Sequence, residues 1–356
     1  MHIDTGTEFR GGQQALLTLA RGLRERGHAQ CIVSPAGSEL ERRARQLEFD
    51  VAELSLKELR ARMRGADLLH AHTGRAQNMA FLASAGSGIK RIATRHVVFA
   101  PRHPLVHRLK YTSTCDGVIA VSQAVRRALL DAGVPADRIE VIPTGVKIPA
   151  ELPDAAQRAE ARRAWKLDDG DIAADFAVGH LGAFTHEKGQ DVAAQAAHLL
   201  ESRLPRLKMI LAGEGPLRSS IAGSDRLILP GHVAEPRQLL AALDLFVMPS
   251  RSEGWGLAAL EAMAFGLPVV ASNTGGLAEM IVAGETGWLV APGDASALAD
   301  AIFEAATYRD KLHAMGLRAR ECARRFSVEQ TAVRTEGFYL RVLQVGQVSG
   351  VPTSDS

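Results

Sequence analysis

From the first residues to about position 345 the chain repeats one plan: a short apolar run, a turn of glycine or polar residues, then a stretch with helical spacing. MHID leads into TGTEFRGG, after which QQALLTLARGLRERGH puts Leu16, Leu19, Ala20 and Leu23 on one helical face, with Gly27 as its stop. AQCIVSP is the next strand and ELERRARQLEF the next helix; DLLHAH, KRIATRH, GVIAVS and IEVIPTG follow as strands. Apolar runs separated by helical segments favour parallel sheets covered on both faces. The loops that close such strands lie at their carboxyl ends, where open α/β sheets bind ligands.

Residues 149–171, PAELPDAAQRAEARRAWKLDDGD, interrupt the plan with prolines and charge, although AAQRAEARRAW reads as a helix. A second series then begins: DFAVGHLGAFT, LKMILAGEGP, RLILPGHV, LDLFVMPS, LPVVASNT and TGWLVAPGD. At 356 residues the chain exceeds one ordinary core. We therefore expect a domain over 1–148 and another over 149–328. A last helix over 329–345, with apolar positions at Phe338, Leu340 and Leu343, is expected to cross back to the first domain. The tail 346–356 reads as disordered.

Charge separates the halves. Residues 1–148 hold 22 Lys/Arg against 14 Asp/Glu (+8), and the remainder hold 20 against 26 (−6), summing to the net +2. A basic half beside an acidic half points either to different partners or to ordinary surface variation. No apolar run reaches the length of a membrane helix, and MHIDTGTEFRGG is not a signal peptide. Cys31, Cys115 and Cys322 lack metal-type or disulfide-framework spacing, which suits a reducing cytoplasm. MHID leaves the first strand short, an indication that native residues precede it.

The chemistry concentrates in EGWGLAALE, residues 253–261, where Glu253 and Glu261 bracket a glycine-rich helix start. A helix beginning near Trp255 would present the amides of Gly256 and Leu257 to a phosphate oxygen. Glu261 would lie about 12 Å along the axis from Glu253, comparable to the span of a diphosphate with a sugar at each end. Taken alone, the pair fits capping and a solvated face equally well. Gly275-Gly276, at another strand-to-helix turn, would let backbone N–H groups approach an anion or simply make the turn tight.

EGWGLAALEAMAFGLPVVAS resembles the signature of retaining glycosyltransferases of family four, which have the GT-B fold. The match falls on Glu253, Glu261, Ala262, Met263, Ala264, Gly266, Pro268, Val269 and Val270. PTGV (143–146), HEKGQD (186–191), LAGEGPLR (211–218), TGGLAE (274–279) and GETGWLVAPGD (284–294) resemble further family blocks in the same order. The resemblance covers residues 1–345 and implies two Rossmann-like α/β domains facing each other across a cleft. It implies that Glu253 contacts donor sugar hydroxyls, that Glu261 holds the nucleotide ribose, and that Lys188 neutralises the leaving diphosphate. Gly11 and Gly12 would approach the phosphate from the amino-terminal domain, and His96 would lie near the reacting centre. One departure stands out: Ala183 occupies the place of a family arginine, so that Arg218 or Arg251 is expected to substitute.

The resemblance further implies a metal-independent hexosyltransferase with no cofactor, whose donor is a nucleotide-diphosphate sugar. A UDP-sugar is the first expectation, although base contacts around His232 and Val233 are largely backbone ones and do not separate UDP from GDP or ADP. His70 and His72 share a strand face without an evident third ligand, so no metal site is expected, and His72 should lie near the cleft. The amino-terminal domain is expected to receive a glycan, lipid or lipopolysaccharide-type acceptor. In RHVVFAPRHPLVHRLKY, Arg95, Arg102, Arg108 and Lys110 interleave with apolar residues, a pattern for an anionic membrane surface or a phosphorylated lipid. The plainer reading is a loop with snorkelling arginines. Only 5% of residues are aromatic, too few for stacking platforms on nucleic acid. A nucleotide-sugar 2-epimerase, which needs no acceptor, and a non-catalytic nucleotide-sugar-binding protein are the competing readings.

Overall fold

The structure is a computed structural model that describes residues 1–99, 104–167 and 175–344, with only the backbone of 104–106. Arg102 and the tail assigned to 346–356 lie outside the described residues. The chain divides into two units, 1–145 with 328–356, and 146–327. The first boundary thus falls three residues before the sequence-based one, and the final segment groups with the first unit.

In the first unit, seven parallel strands form one sheet: β1 His2–Ile3, β2 Cys31–Ser34, β3 Asp50–Glu53, β4 Leu68–Ala71, β5 Lys90–Arg95, β6 Gly117–Ala120 and β7 Ile139–Val141. Their order is β3-β2-β1-β4-β5-β6-β7. Adjacent residues serve opposite faces. Val33, Ala52 and Leu69 pack in one cluster, whereas Ile32 and Val51 pack with Leu16, Leu17 and Ala20 of the helix Gly11–Glu25. Sheets so covered read as continuous apolar runs rather than alternating ones.

The helix Val328–Gln344 closes this unit. Phe338 and Val342 cover Leu68, Ile92, Ile119 and Ile142, on the same face of the sheet as the helix Gly11–Glu25. Gly22 lets the helix approach, since a β-carbon there would stand 2.9 Å from the Ala332 methyl. The buried positions are Thr331, Ala332, Thr335, Phe338 and Val342. Leu340, expected on the apolar face, is instead 51% exposed, because the face runs through two threonines that hide its period.

The second unit has six parallel strands: β8 Phe176–Leu181, β9 Leu207–Ala212, β10 Leu227–Gly231, β11 Leu245–Met248, β12 Val269–Ser272 and β13 Gly287–Val290. Their order, β10-β9-β8-β11-β12-β13, repeats the plan of the first sheet. Each unit is therefore Rossmann-like, with a reversal of strand order between β1 and β4 and between β8 and β11. Among the described residues no helix is long and apolar enough to cross a membrane.

Candidate functional site

In the second unit the loops after β8 and β11 flank the reversal point, where a Rossmann-like sheet binds its ligand. The loop after β8 carries Ala183 and a short 3-10 turn, His186–Lys188. Gly189 follows with φ +71°, and any β-carbon there would run into the Pro249 carbonyl oxygen. That close approach fixes the first loop against the second. Lys188 Nζ then lies 2.6 Å from Glu253 Oε2, with side-chain exposures of 25% and 11%. Ser250 Oγ donates to the same carboxylate oxygen at 3.3 Å.

The helix after β11 is Leu257–Ala264, beginning two residues later than expected. Gly256 precedes it in the left-handed region, φ +95°, with the Glu253 side chain and Leu277 packed close by. Gly256 and Leu257 therefore stand at the helix start, where first-turn amides lack intrahelical partners. Trp255 is only 4% exposed, and its ring meets Phe326 edge-on at 5.0 Å. Its side chain belongs to the core, so that any contact of Trp255 with a donor would fall to its backbone.

Gly275-Gly276 owes its composition to packing. Gly275 has φ +52°, and a β-carbon on it would overlap the Glu253 carbonyl oxygen; one on Gly276 would stand 2.6 Å from Trp255 Cα. The pair seats the 253–255 segment. Glu261 is the single charge in LAALEAMA. Burial pushes its carboxyl up to about 7, against a smaller opposing pull from Arg237.

The expected stand-ins for an arginine at Ala183 are occupied. Arg251 forks onto Asp191 with bonds of 2.8 and 2.7 Å and also donates to the His186 carbonyl. Arg218 donates to the Leu229 carbonyl at 2.7 Å and has Glu214 at 3.7 Å. His232 is exposed and Val233 half-buried just past β10, after Gly231 with φ +80°. Gln190, unnoticed in the sequence, donates to the Ala183 carbonyl at 2.7 Å and lies 3.1 Å from His180 Nε2. His180 Nδ1 faces the Val247 carbonyl at 3.0 Å, so His180 tethers the loop base to β11.

In the first unit, Gly11 and Gly12 are not loop residues but the opening turn of the helix Gly11–Glu25. A β-carbon on Gly12 would stand 3.8 Å from His96 Cδ2, so this bare turn faces the histidine. The His96 and His72 rings stack at 5.9 Å with an 18° tilt. Beneath them a cavity of about 20 Å³ is lined by both imidazoles and by Thr18, Thr94, Thr144 and Thr335, room for a water molecule. Burial, aided by Arg95, lowers the His96 imidazole to about 4, so it is neutral at pH 7.

His2 supplies the third imidazole that the sequence reading did not find beside His70 and His72. Five of their six ring nitrogens have hydrogen-bond partners, and His72 Nδ1 is buried without one. His2 Nδ1 lies 3.0 Å from His72 Nε2 and His2 Nε2 2.7 Å from Gln30; His70 is held by Tyr339 and Thr94, both at 2.6 Å. A cation here would have to break those bonds. Burial first, and then the Met1 ammonium for His2 and the neighbouring imidazoles for His70 and His72, keep the three neutral, His2 at about 3 and the other two well below the usual range. Arg95, at the end of β5, has its guanidinium over the Phe99 ring at 5.0 Å.

Family models match both units: "Glycosyltransferase Family 4" over residues 9–148 and "Glycosyl transferases group 1" over 175–307. A GDP-mannose-dependent alpha-(1-6)-phosphatidylinositol monomannoside mannosyltransferase of Mycobacterium tuberculosis is 30% identical over 329 residues, 85% of this chain and 79% of the relative. The chain belongs to glycosyltransferase family 4. A D-inositol 3-phosphate glycosyltransferase of Nocardia farcinica is also 30% identical, over 75% of this family-4 chain and 64% of the relative. Among solved structures, HepE of Anabaena in complex with UDP superposes with a TM-score of 0.84 over 96% of this glycosyltransferase and 99% of HepE, at 23% identity. Two Rossmann-like α/β domains of the GT-B type are thus the fold of this glycosyltransferase.

Proposed function

We propose that this glycosyltransferase moves a sugar, with retained anomeric configuration and without a metal ion, from a nucleotide-diphosphate sugar on the second unit to a hydroxyl of a glycan or lipid-linked acceptor on the first. The observation that carries the donor reading is the Lys188–Glu253 pair at the reversal point of the second sheet, beside a helix start. Lys188 neutralises the diphosphate as the glycosidic bond breaks, and the amides at Gly256 and Leu257 take its oxygens. Glu253 accepts from sugar hydroxyls and Glu261 from the ribose.

The bond from the anomeric carbon to the diphosphate oxygen breaks as the acceptor oxygen attacks from the same face. The acceptor's proton passes to the departing phosphate oxygen. One lysine and a helix terminus offer positive charge where another enzyme would use a cation, which supports the metal-free reading. Gly11, Gly12 and the neutral His96 are the first unit's contribution. Val97 and Leu109, 54% and 68% exposed in its basic surface, support contact with the inner face of an anionic membrane.

Calorimetric titration with UDP, GDP and ADP tests the donor site, with Lys188→Ala and Glu261→Ala in parallel. The name of the mycobacterial relative specifies GDP-mannose and the HepE crystals hold UDP, so both nucleotides are informative. One nucleotide bound by the wild type and lost in both variants supports the reading. Equal binding by variants and wild type contradicts it. Interconversion of the donor sugar without any acceptor would establish an epimerase instead.

A further inference from the structure

We propose that the first unit holds a phosphate-binding subsite formed by Arg95, Lys110 and the start of the helix Gly74–Ala83, and that the acceptor therefore carries a phosphate group. This rests on the glycosyltransferase reading and names its acceptor class.

The two cations converge on one glycine. Lys110 Nζ donates to the Gly74 carbonyl at 3.3 Å. A β-carbon on Gly74 would stand 3.4 Å from that Nζ and 3.8 Å from a terminal nitrogen of Arg95. Gly74 opens a ten-residue helix capped by Thr73, whose hydroxyl takes the Ala76 amide, and the first turn has no acidic residue. The positive end of a helix repels cations, yet the fold brings two there, and Arg75 follows on the surface.

No acid answers them. Among the described residues neither Arg95 nor Lys110 has an ion-pair partner, and the Arg95 Nε is buried without an acceptor. Asp116, the carboxylate that precedes β6, lies at the other end of β5 from Arg95 and is engaged there by Lys90 and Arg91, each at 3.6 Å, and by the Arg91 amide. Burial, and then Arg95, depress the Lys110 ammonium below its ordinary range, so the free protein holds this charge at a cost. His72 and His96 nearby are neutral and relieve none of it. A phosphate meets these demands: one negative charge as a diester or close to two as a monoester, oxygens for an ammonium and a guanidinium, and affinity for helix amides.

The test is calorimetric titration of the whole chain with inorganic phosphate and then with glycerol 3-phosphate. Wild type, Arg95→Gln, Lys110→Gln, Lys110→Arg and Lys188→Gln are compared. Each glutamine variant in the first unit should bind about tenfold more weakly. Lys110→Arg should bind as the wild type does, and Lys188→Gln should lose only the phosphate held at the donor site, the part that saturating UDP displaces. Absence of binding in the wild type, equal binding in all five proteins, or loss confined to Lys188→Gln would overturn the subsite. UDP titrated into the same proteins separates the two readings. Retention in Arg95→Gln and Lys110→Gln shows that these variants fold, and UDP binding unchanged in Lys188→Gln would count against the donor site alone. Phosphatidylglycerol vesicles give the source. Binding that free phosphate displaces identifies a lipid headgroup, and glycerol 3-phosphate binding without vesicle binding identifies a soluble phosphate ester; each supports the subsite.

Discussion

Lys188 and Glu253 form an ion pair across the two loops at the reversal point of the second sheet, Nζ to Oε2 at 2.6 Å. The cation assigned to the donor's diphosphate is held, before any donor arrives, by the acid assigned to the donor's sugar. Binding must therefore exchange one partner of Lys188 for another.

Replacing either member should separate affinity from turnover. Lys188→Gln removes charge-assisted bonds worth roughly 1.5–3 kcal/mol, so nucleotide affinity should fall at least tenfold. Glu253→Gln frees the lysine, and nucleoside diphosphate should bind as tightly as in wild type or more so, while sugar transfer falls by about a hundredfold or more. Calorimetry with the diphosphate and a turnover assay check this. Equal losses of affinity in both variants would show that the pair acts only as scaffold.

Gly275→Ala should disable the donor loop without touching a ligand. Its β-carbon would overlap the Glu253 carbonyl oxygen, at a backbone φ of +52°. Destabilisation on the order of 1–3 kcal/mol follows from the left-handed conformation alone. The Glu253–Trp255 segment must shift as well. A lowered melting temperature with weakened nucleotide binding is expected, and a variant equal to wild type in both would refute the packing account.

Glu261 gives the nucleotide affinity a pH dependence. Its carboxyl is raised to about 7 by burial, so it is part protonated in the free protein at neutral pH. A ribose hydroxyl donates to the ionised form. Affinity should therefore rise as pH increases from 6 to 8 and level off above, changing by up to about tenfold per unit below 7. Glu261→Gln should flatten the profile. A wild-type profile that is already flat would remove Glu261 from the ribose.

Stability should fall on acidification. His2, His96 and His180 are lowered to about 3, 4 and 4 by burial, and His70 and His72 also lie well below 6.5. A group with a depressed folded-state pKa is neutral in the native chain but protonates in the unfolded one below about 6.5. Each contributes up to about 1.4 kcal/mol of lost stability per pH unit as pH drops toward its folded value. Melting temperatures measured at pH 7, 6 and 5 should decline steeply. Equal values at all three would mean that these imidazoles are hydrated or charged in the native state.

Sequence spacing revealed most of this plan because apolar runs in doubly covered parallel sheets are dense and their loops rich in glycine. Asp50–Glu53 escaped notice because DVAE has two apolar residues in an edge strand with exposed ends. The Lys188–Glu253 contact could not be read, since β8 and β11 become neighbours only through a crossover of strand order. His2 joins His70 for the same reason: β1 pairs with β4, and His2 stands opposite His70 in register. The occupied state of Arg251 depends on Asp191, sixty positions away, and no local pattern announces such a fork.

The return of the helix Val328–Gln344 to the first unit has a consequence for the order of synthesis. Residues 146–327 form an uninterrupted unit, whereas the first unit lacks its cover over Leu68, Ile92 and Ile119 until Phe338 and Val342 have been made. On the ribosome the domain translated first is completed last, and the intervening domain has all of its own residues before that happens. A chain that ends before residue 338 would hold a complete second unit and a first unit with an open apolar sheet face, the form most in need of a chaperone.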